Sequence, residues 1–221
     1  MLFTQSKPLE EILESLGQEK NIYIAACNGC AQACQTGGQQ ALDAIKDELQ
    51  KKGKNITGSC LIDFLCNKVL VSTRLAREID KIKKADSILA LTCGIGVQSC
   101  AKLFDKPVRP ASNTVSLGGM QGLWPSEERC EACGDCALDY TGGICPITSC
   151  AKSLLNGPCG GSKDGMCEID PEKECGWIKI YERLKEIGKL ENLKKARAPR
   201  DHSKMTPSAE LRKTSFYDLE K

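Results

Sequence analysis

The sequence predicts an α/β N-terminal domain with a parallel sheet, followed by a cysteine-rich module with little regular structure, a C-terminal helix and an extended tail. Three observations carry this expectation. Short apolar, β-branched runs alternate with helix-period segments through the first half, the pattern of βαβ units. Periodicity then gives way to glycine, proline and cysteine. Finally, the 221 residues include 15 cysteines and a single histidine, His202.

The elements follow in order. PLEEILESLG sets Leu9, Ile12 and Leu16 on one face of a short amphipathic helix. NIYIAAC is a compact strand ending at Cys27. GGQQALDAIKDELQKKG repeats apolar residues at Leu42, Ile45 and Leu49 and stops at Gly53, which predicts a helix with a glycine stop. NITGSC is a weaker strand. VLVSTRLAREIDKIKKA keeps Leu75, Ile79 and Ile82 in register, which predicts one helix. DSILALTCG is a buried strand ending at Cys93. The proline- and glycine-rich stretch KPVRPASNTVSLGGMQGLWP places a boundary near residue 122. Residues 1–122 are then the α/β domain, 123–193 the cysteine-rich module with its docking helix, and 194–221 the charged tail. In CGWIKIYERLKEIGKL, the stripe Trp177, Ile180, Tyr181, Leu184 and Ile187 predicts a face packed on the module. The tail reads either as mobile chain or as a partner-binding arm anchored by Leu211, Phe216, Tyr217 and Leu219.

Charge excludes some functions. With 31 basic and 29 acidic residues the net charge is +2, which gives no electrostatic case for nucleic acid or an anionic membrane. The N-terminus lacks a basic segment followed by an apolar run, and no stretch approaches the roughly 20 apolar residues of a membrane span. The expectation is a cytoplasmic protein whose thiols stay reduced.

In that setting an odd count of clustered cysteines points to metal ligation. With one histidine, a zinc site would have to be all-cysteine, and many thiolates favour iron–sulfur clusters. The first set is Cys27, Cys30, Cys34, Cys60, Cys66, Cys93 and Cys100; the second is Cys130, Cys133, Cys136, Cys145, Cys150, Cys159, Cys167 and Cys175. CEACGDC, with Cys130, Cys133 and Cys136 at x2 spacing, suits three corners of a cubane. The ferredoxin pattern then takes a fourth cysteine before proline after x3. Here that cysteine is Cys145, farther on, so the fourth ligand stays open. Eight thiols match two [4Fe–4S] clusters, with zinc at one site as the main rival. Cys27, Cys30 and Cys34 form another group of three, with Cys66 or Cys93 as the fourth ligand. Cys60 and Cys100 read as core thiols. Glycines beside the cysteines, as in TGG, CGIG and NGPCGG, allow backbone N–H groups close to sulfide.

Other chemistries find little support. CNGCAQACQTGG stands where a phosphate loop would, but matches no nucleotide motif, and CGIGVQ reads as a strand-end turn. No paired carboxylates and no Cys/His arrangement offer a general base or an activated nucleophile. A thiolate methyl carrier or transferase is the weakest alternative, behind a zinc-stabilised, non-redox assembly module.

Together CNGCAQACQTGG, LTCGIGVQ, CEACGDCALDYTGGICPITSCAKSLLNGPCGG and GMCEID…CGW resemble the small iron–sulfur subunit of acetogen-type methylenetetrahydrofolate reductase, the methylenetetrahydrofolate reductase C-terminal domain family. The resemblance runs from about residue 20 to residue 190 and is most specific from Cys130 to Trp177. It implies a non-catalytic subunit in the methyl branch of anaerobic carbon fixation, with no flavin of its own. The partner would be a flavin-bearing TIM-barrel subunit that reduces methylenetetrahydrofolate to methyltetrahydrofolate. Electrons would come from a ferredoxin or a pyridine-nucleotide-linked donor. The family has also been associated with zinc, and Cys60 and Cys100 lie outside its motifs.

Overall fold

The structure is a computed structural model that describes residues 2–121 and 124–205. The boundary expected near residue 122 and the anchors Leu211, Phe216, Tyr217 and Leu219 lie outside the described residues. The chain forms two compact units, one up to Ser116 and one from Leu117.

The first unit contains β1 (Leu2–Ser6), α1 (Leu9–Leu16), β2 (Asn21–Cys27), α2 (Cys30–Ala33), α3 (Gly38–Lys51), β3 (Asn55–Ile62), α4 (Lys68–Ala76), α5 (Ile79–Lys83), β4 (Ser87–Leu91), α6 (Gly94–Ala101) and β5 (Val108–Pro110). The sheet has the order β3-β2-β4-β5, and every neighbouring pair is parallel. The expected α/β class with a parallel sheet is therefore present.

Strand alternation builds the core on both faces. Ile22, Ile24 and Ala26 turn to one side and pack with Ile12, Leu16, Leu42 and Leu49 of α1 and α3. Tyr23, Ala25 and Cys27 turn to the other side and meet Val71, Leu75, Ile82 and Leu103. Ile22, Ile24, Leu49, Leu75 and Ile88 are completely buried, each worth roughly 1.5–3 kcal/mol relative to exposure.

Three elements depart from expectation. The helix expected across VLVSTRLAREIDKIKKA is two, α4 and α5. Arg77 and Glu78 bond back to Arg74 and Leu75, and this tighter i→i−3 spacing closes α4. Apolar periodicity misses the break because Leu75 and Ile82 still face the same core. CGIGVQ is the start of a helix, α6, with Cys93 at its N-cap. The supposed linker contains β5 and a long strand, β6 (Ser112–Gln121), which begins in the first unit and ends in the second.

In the second unit β6 pairs antiparallel with β7 (Trp124–Cys130), matching Leu117 with Cys130. Two helices follow, α7 (Pro146–Ser149) and α8 (Gly176–Glu186). The core is small: Tyr140, Cys175, Trp177, Ile180 and Leu184, with Cys150 and Leu154 packed against them. The stripe expected on α8 is narrower than predicted, since Tyr181 and Ile187 are 44% and 40% exposed.

Candidate metal centres

In the first unit the thiols gather where the parallel strands end, the edge at which open α/β sheets bind ligands. Cys27 is the last residue of β2, Cys30 opens α2, Cys66 follows β3, and Cys93 follows β4. Close contacts lock these loops together. The Cys27 thiol donates to the Asp63 carbonyl at 3.6 Å, and the Gly29 N–H donates to the Cys27 sulfur at 3.4 Å. The Ser99 hydroxyl of α6 donates to the Cys66 carbonyl at 3.4 Å. Cys66 is exposed; even so, partial burial pushes its thiol up, and Cys93, Cys27 and Cys30 push it the same way.

The remaining thiols of this unit lie elsewhere. Cys34 ends α2 and donates to the Leu2 carbonyl of β1 at 3.7 Å. Cys100 is completely buried among Leu75, Leu103 and Phe104, and Cys60 packs against the same cluster. Burial pushes Cys60 up to about 11 and pushes Cys100 up to about 12. Their surroundings are those of core thiols.

In the second unit the thiols lie on two stretches of chain, Cys130 to Cys145 before α7 and Cys150 to Cys175 after it. Cys130 and Cys145 line one cavity of about 890 Å³. The Thr148 hydroxyl donates to the Arg129 carbonyl at 3.1 Å, which holds α7 beside the end of β7. Cys133 and Cys136 continue along the chain from Cys130. Ala132 has φ +54°, in the left-handed region, and its N–H donates to the Cys130 sulfur at 3.3 Å.

The second stretch runs from Cys150, which closes α7, to Cys175, which caps α8. Gly176 lies so close to Ser149 that a Cβ there would come within 2.6 Å of its backbone, bringing Cys175 beside Cys150. Backbone N–H groups of Ile169 and Asp170, and more weakly Ala151, point at Cys167 and hold its thiol below the usual range. Gly161 abuts the Glu168 side chain, and Lys152 pairs with that carboxylate. The Gly161 N–H donates to the Cys159 sulfur at 3.4 Å.

The basic stretch after α8 supplies partners that composition alone did not reveal. Arg197 reaches Asp135 and Asp139 at 3.6 and 3.5 Å, Arg200 reaches Glu131 at 3.3 Å, and Lys204 reaches Asp135 at 3.4 Å. These ion pairs strap residues 197–204 across the CEACGDC loop. The sequence showed a charged tail without showing that its counter-charges are Glu131, Asp135 and Asp139.

Among the described residues no three His, Cys, Asp or Glu side chains converge on a single-ion site. The donor set nevertheless suits iron–sulfur clusters. A cubane is held at its corners, so its ligands ring a volume, and it takes four thiolates. At Cys27, Cys130 and Cys159 the N–H two residues on donates to sulfur, a backbone contact that recurs in both units.

These features define a protein that pairs a doubly covered parallel sheet with a thiol-rich module. Residues 109–203 match the family model described as methylene-tetrahydrofolate reductase C terminal. The matched stretch contains every thiol from Cys130 to Cys175, links this part of the chain to methylenetetrahydrofolate reductase, and leaves the thiols of the first unit outside. No curated protein and no solved structure matches the chain. Among the described residues no helix is long and apolar enough to cross a membrane.

Proposed function

We propose that the chain is an iron–sulfur electron-transfer subunit of a methylenetetrahydrofolate reductase complex. The observation that carries this reading is the gathering of thiols onto interlocked loops within each unit, joined to the family match over residues 109–203. In the second unit Cys130, Cys133, Cys136 and Cys145 would hold one [4Fe–4S] cluster. Cys150, Cys159, Cys167 and Cys175 would hold another. A further cluster belongs to the first unit.

Bound clusters would supply one-electron transfer to the flavin of a TIM-barrel partner that reduces methylenetetrahydrofolate to methyltetrahydrofolate, with a ferredoxin or a pyridine-nucleotide-linked protein as donor. The chain's own residues do the rest. Thiolates hold the clusters, and N–H groups such as those of Ala132 and Gly161 place partial positive charge at the sulfurs. The α8 face of Trp177, Ile180 and Leu184 fixes the loops that carry Cys150 and Cys175.

Anaerobically purified chain should be brown, contain iron and labile sulfide, bleach with dithionite, and recover its colour when the oxidised flavin subunit is added. Colourless protein with zinc and no labile sulfide would overturn the reading in favour of a zinc-held assembly module.

A further inference from the structure

We infer that the first unit holds its [4Fe–4S] cluster on Cys27, Cys30, Cys66 and Cys93, and that Cys34 is not a ligand. The inference rests on the iron–sulfur reading above and assigns ligands that spacing alone left open. The C-x2-C-x3-C pattern invites Cys27, Cys30 and Cys34 as three ligands, with one thiol to be added from elsewhere. The fold selects differently.

Three chain segments meet at the carboxyl edge of the sheet: the Cys27–Cys30 turn, the Asp63–Cys66 loop and the Cys93 end of α6. Cys27 of β2 stands in register with Ile62, the end of β3. The Asn28 N–H donates to the Ile62 carbonyl at 2.8 Å, and the Asn28 side chain reaches Asp63 at 3.3 Å. The segment leading to Cys66 is therefore clamped onto the Cys27–Cys30 turn. From the other side, Gly96 lies against Leu65: a Cβ there would sit 3.1 Å from the Leu65 Cβ. That contact sets the Cys93 end of α6 beside the Cys66 loop, and the Ser99 bond to the Cys66 carbonyl reinforces it. Each of the four thiols lies at or just beyond a strand end, so together they ring one edge.

Electrostatics points the same way. Cys93 is the N-cap of α6, and Cys66 immediately precedes Asn67, whose side chain caps α4 by accepting from the Leu70 N–H at 3.2 Å. Two helices thus begin at this edge and direct their partial positive ends toward it. Cys34 has neither feature. It ends α2 and bonds to the Leu2 carbonyl of β1. Cys100 is excluded by depth: seven residues into α6 from Cys93, it lies about 10 Å along the helix axis, fully buried in the core.

The test uses the full chain, purified and reconstituted anaerobically, with Cys66→Ala, Cys93→Ala and Cys34→Ala made singly. Alanine is chosen because serine oxygen can itself ligate iron. Iron and labile sulfide per chain and the EPR spectrum of the reduced protein are the readouts. Cys66→Ala and Cys93→Ala should each lose about four irons and the same EPR signal, and Cys34→Ala should keep both. Cys66 is exposed, so its removal leaves the hydrophobic core whole, and a near-parental far-UV circular dichroism spectrum will verify this. Loss of the signal in Cys34→Ala, or its retention in Cys66→Ala and Cys93→Ala, overturns the assignment. Loss of zinc in place of iron overturns it as well. If the variant pattern holds but reduced chain fails to reduce the flavin subunit, the proposed function falls and the ligand assignment stands.

Discussion

The Cα of Gly29 faces the carbonyl oxygen of Asp63 so closely that a Cβ there would lie 2.7 Å from it and 3.0 Å from the Phe64 ring. The same carbonyl accepts from the Cys27 thiol. Two loops from different strands thus share one contact point, and the space between them fits only glycine. Gly29→Ala should push the Asp63–Cys66 loop outward, costing about 1–3 kcal/mol as an overpacked contact. Iron should be lost from the first unit while the content of the second stays constant. Urea titration and metal analysis of the full chain check both effects. Parental stability and iron content in Gly29→Ala would mean that the two loops are not coupled.

On α8, two neighbouring members of the predicted stripe should behave in opposite ways. Ile180 is completely buried with Tyr140, Trp177 and Leu184, whereas Tyr181 is largely exposed. Ile180→Ala should cost about 2–5 kcal/mol through lost burial and a cavity. Tyr181→Ala should stay within about 0.5 kcal/mol. Chemical denaturation followed by Trp177 fluorescence separates the two. Equal losses would show that Tyr181 packs as deeply as Ile180.

Cys60 and Cys100 should limit stability at high pH. Burial raises their thiols from the usual 9.0 to about 11 and about 12. The folded state therefore prefers the protonated form of each. That contribution is fully present below the unfolded-state value near 9 and is lost as pH rises through 11 to 12. Stability should fall across that window, and Cys100→Ala should flatten the fall relative to its own neutral value. Neither thiol should react with iodoacetamide in folded protein at pH 8, as peptide mass spectrometry will show. Rapid modification of Cys100 under those conditions would contradict its burial.

The α/β class was legible because Ile22, Ile24 and Leu89 belong to continuous apolar strands, and because Leu42, Ile45 and Leu49 keep helical spacing. β1 was not anticipated: LFTQS is short, and only Phe3 and Thr4 of it are buried. β6 was obscured for another reason. Its Ser-Asn-Thr opening and glycine pair carry turn composition, while the strand is held by backbone pairing, which leaves little trace in side-chain pattern. The candidate ligands were legible as cysteines, but their grouping was not. Which thiols share a loop cluster depends on contacts such as Gly29 with Asp63 and Gly176 with Ser149, which join residues far apart in the chain. Spacing grouped Cys34 with Cys30 because the two lie close in sequence; the bond from Cys34 to the Leu2 carbonyl involves a strand the sequence did not announce.

Asp86 supplies the corresponding test at low pH. Its carboxylate accepts the backbone N–H groups of Lys20 and Asn21 at 2.8 and 2.7 Å, fixing the entry to β2. These bonds, from Asn21 first and then Lys20, hold the Asp86 carboxyl below the usual range. Because the folded-state value is depressed, the stabilisation is present above the unfolded-state value near about 3.9 and disappears as pH falls through the folded-state value. Asp86→Asn keeps an acceptor oxygen but removes the charge that strengthens both bonds. At pH 7 the parent chain should therefore resist urea better than Asp86→Asn, and the gap between their midpoints should narrow steadily below pH 4. Acid release of any thiol-bound metal affects both chains alike and cancels in the difference. A gap that stayed constant with pH would show that the Asp86 charge contributes nothing beyond what a neutral acceptor supplies.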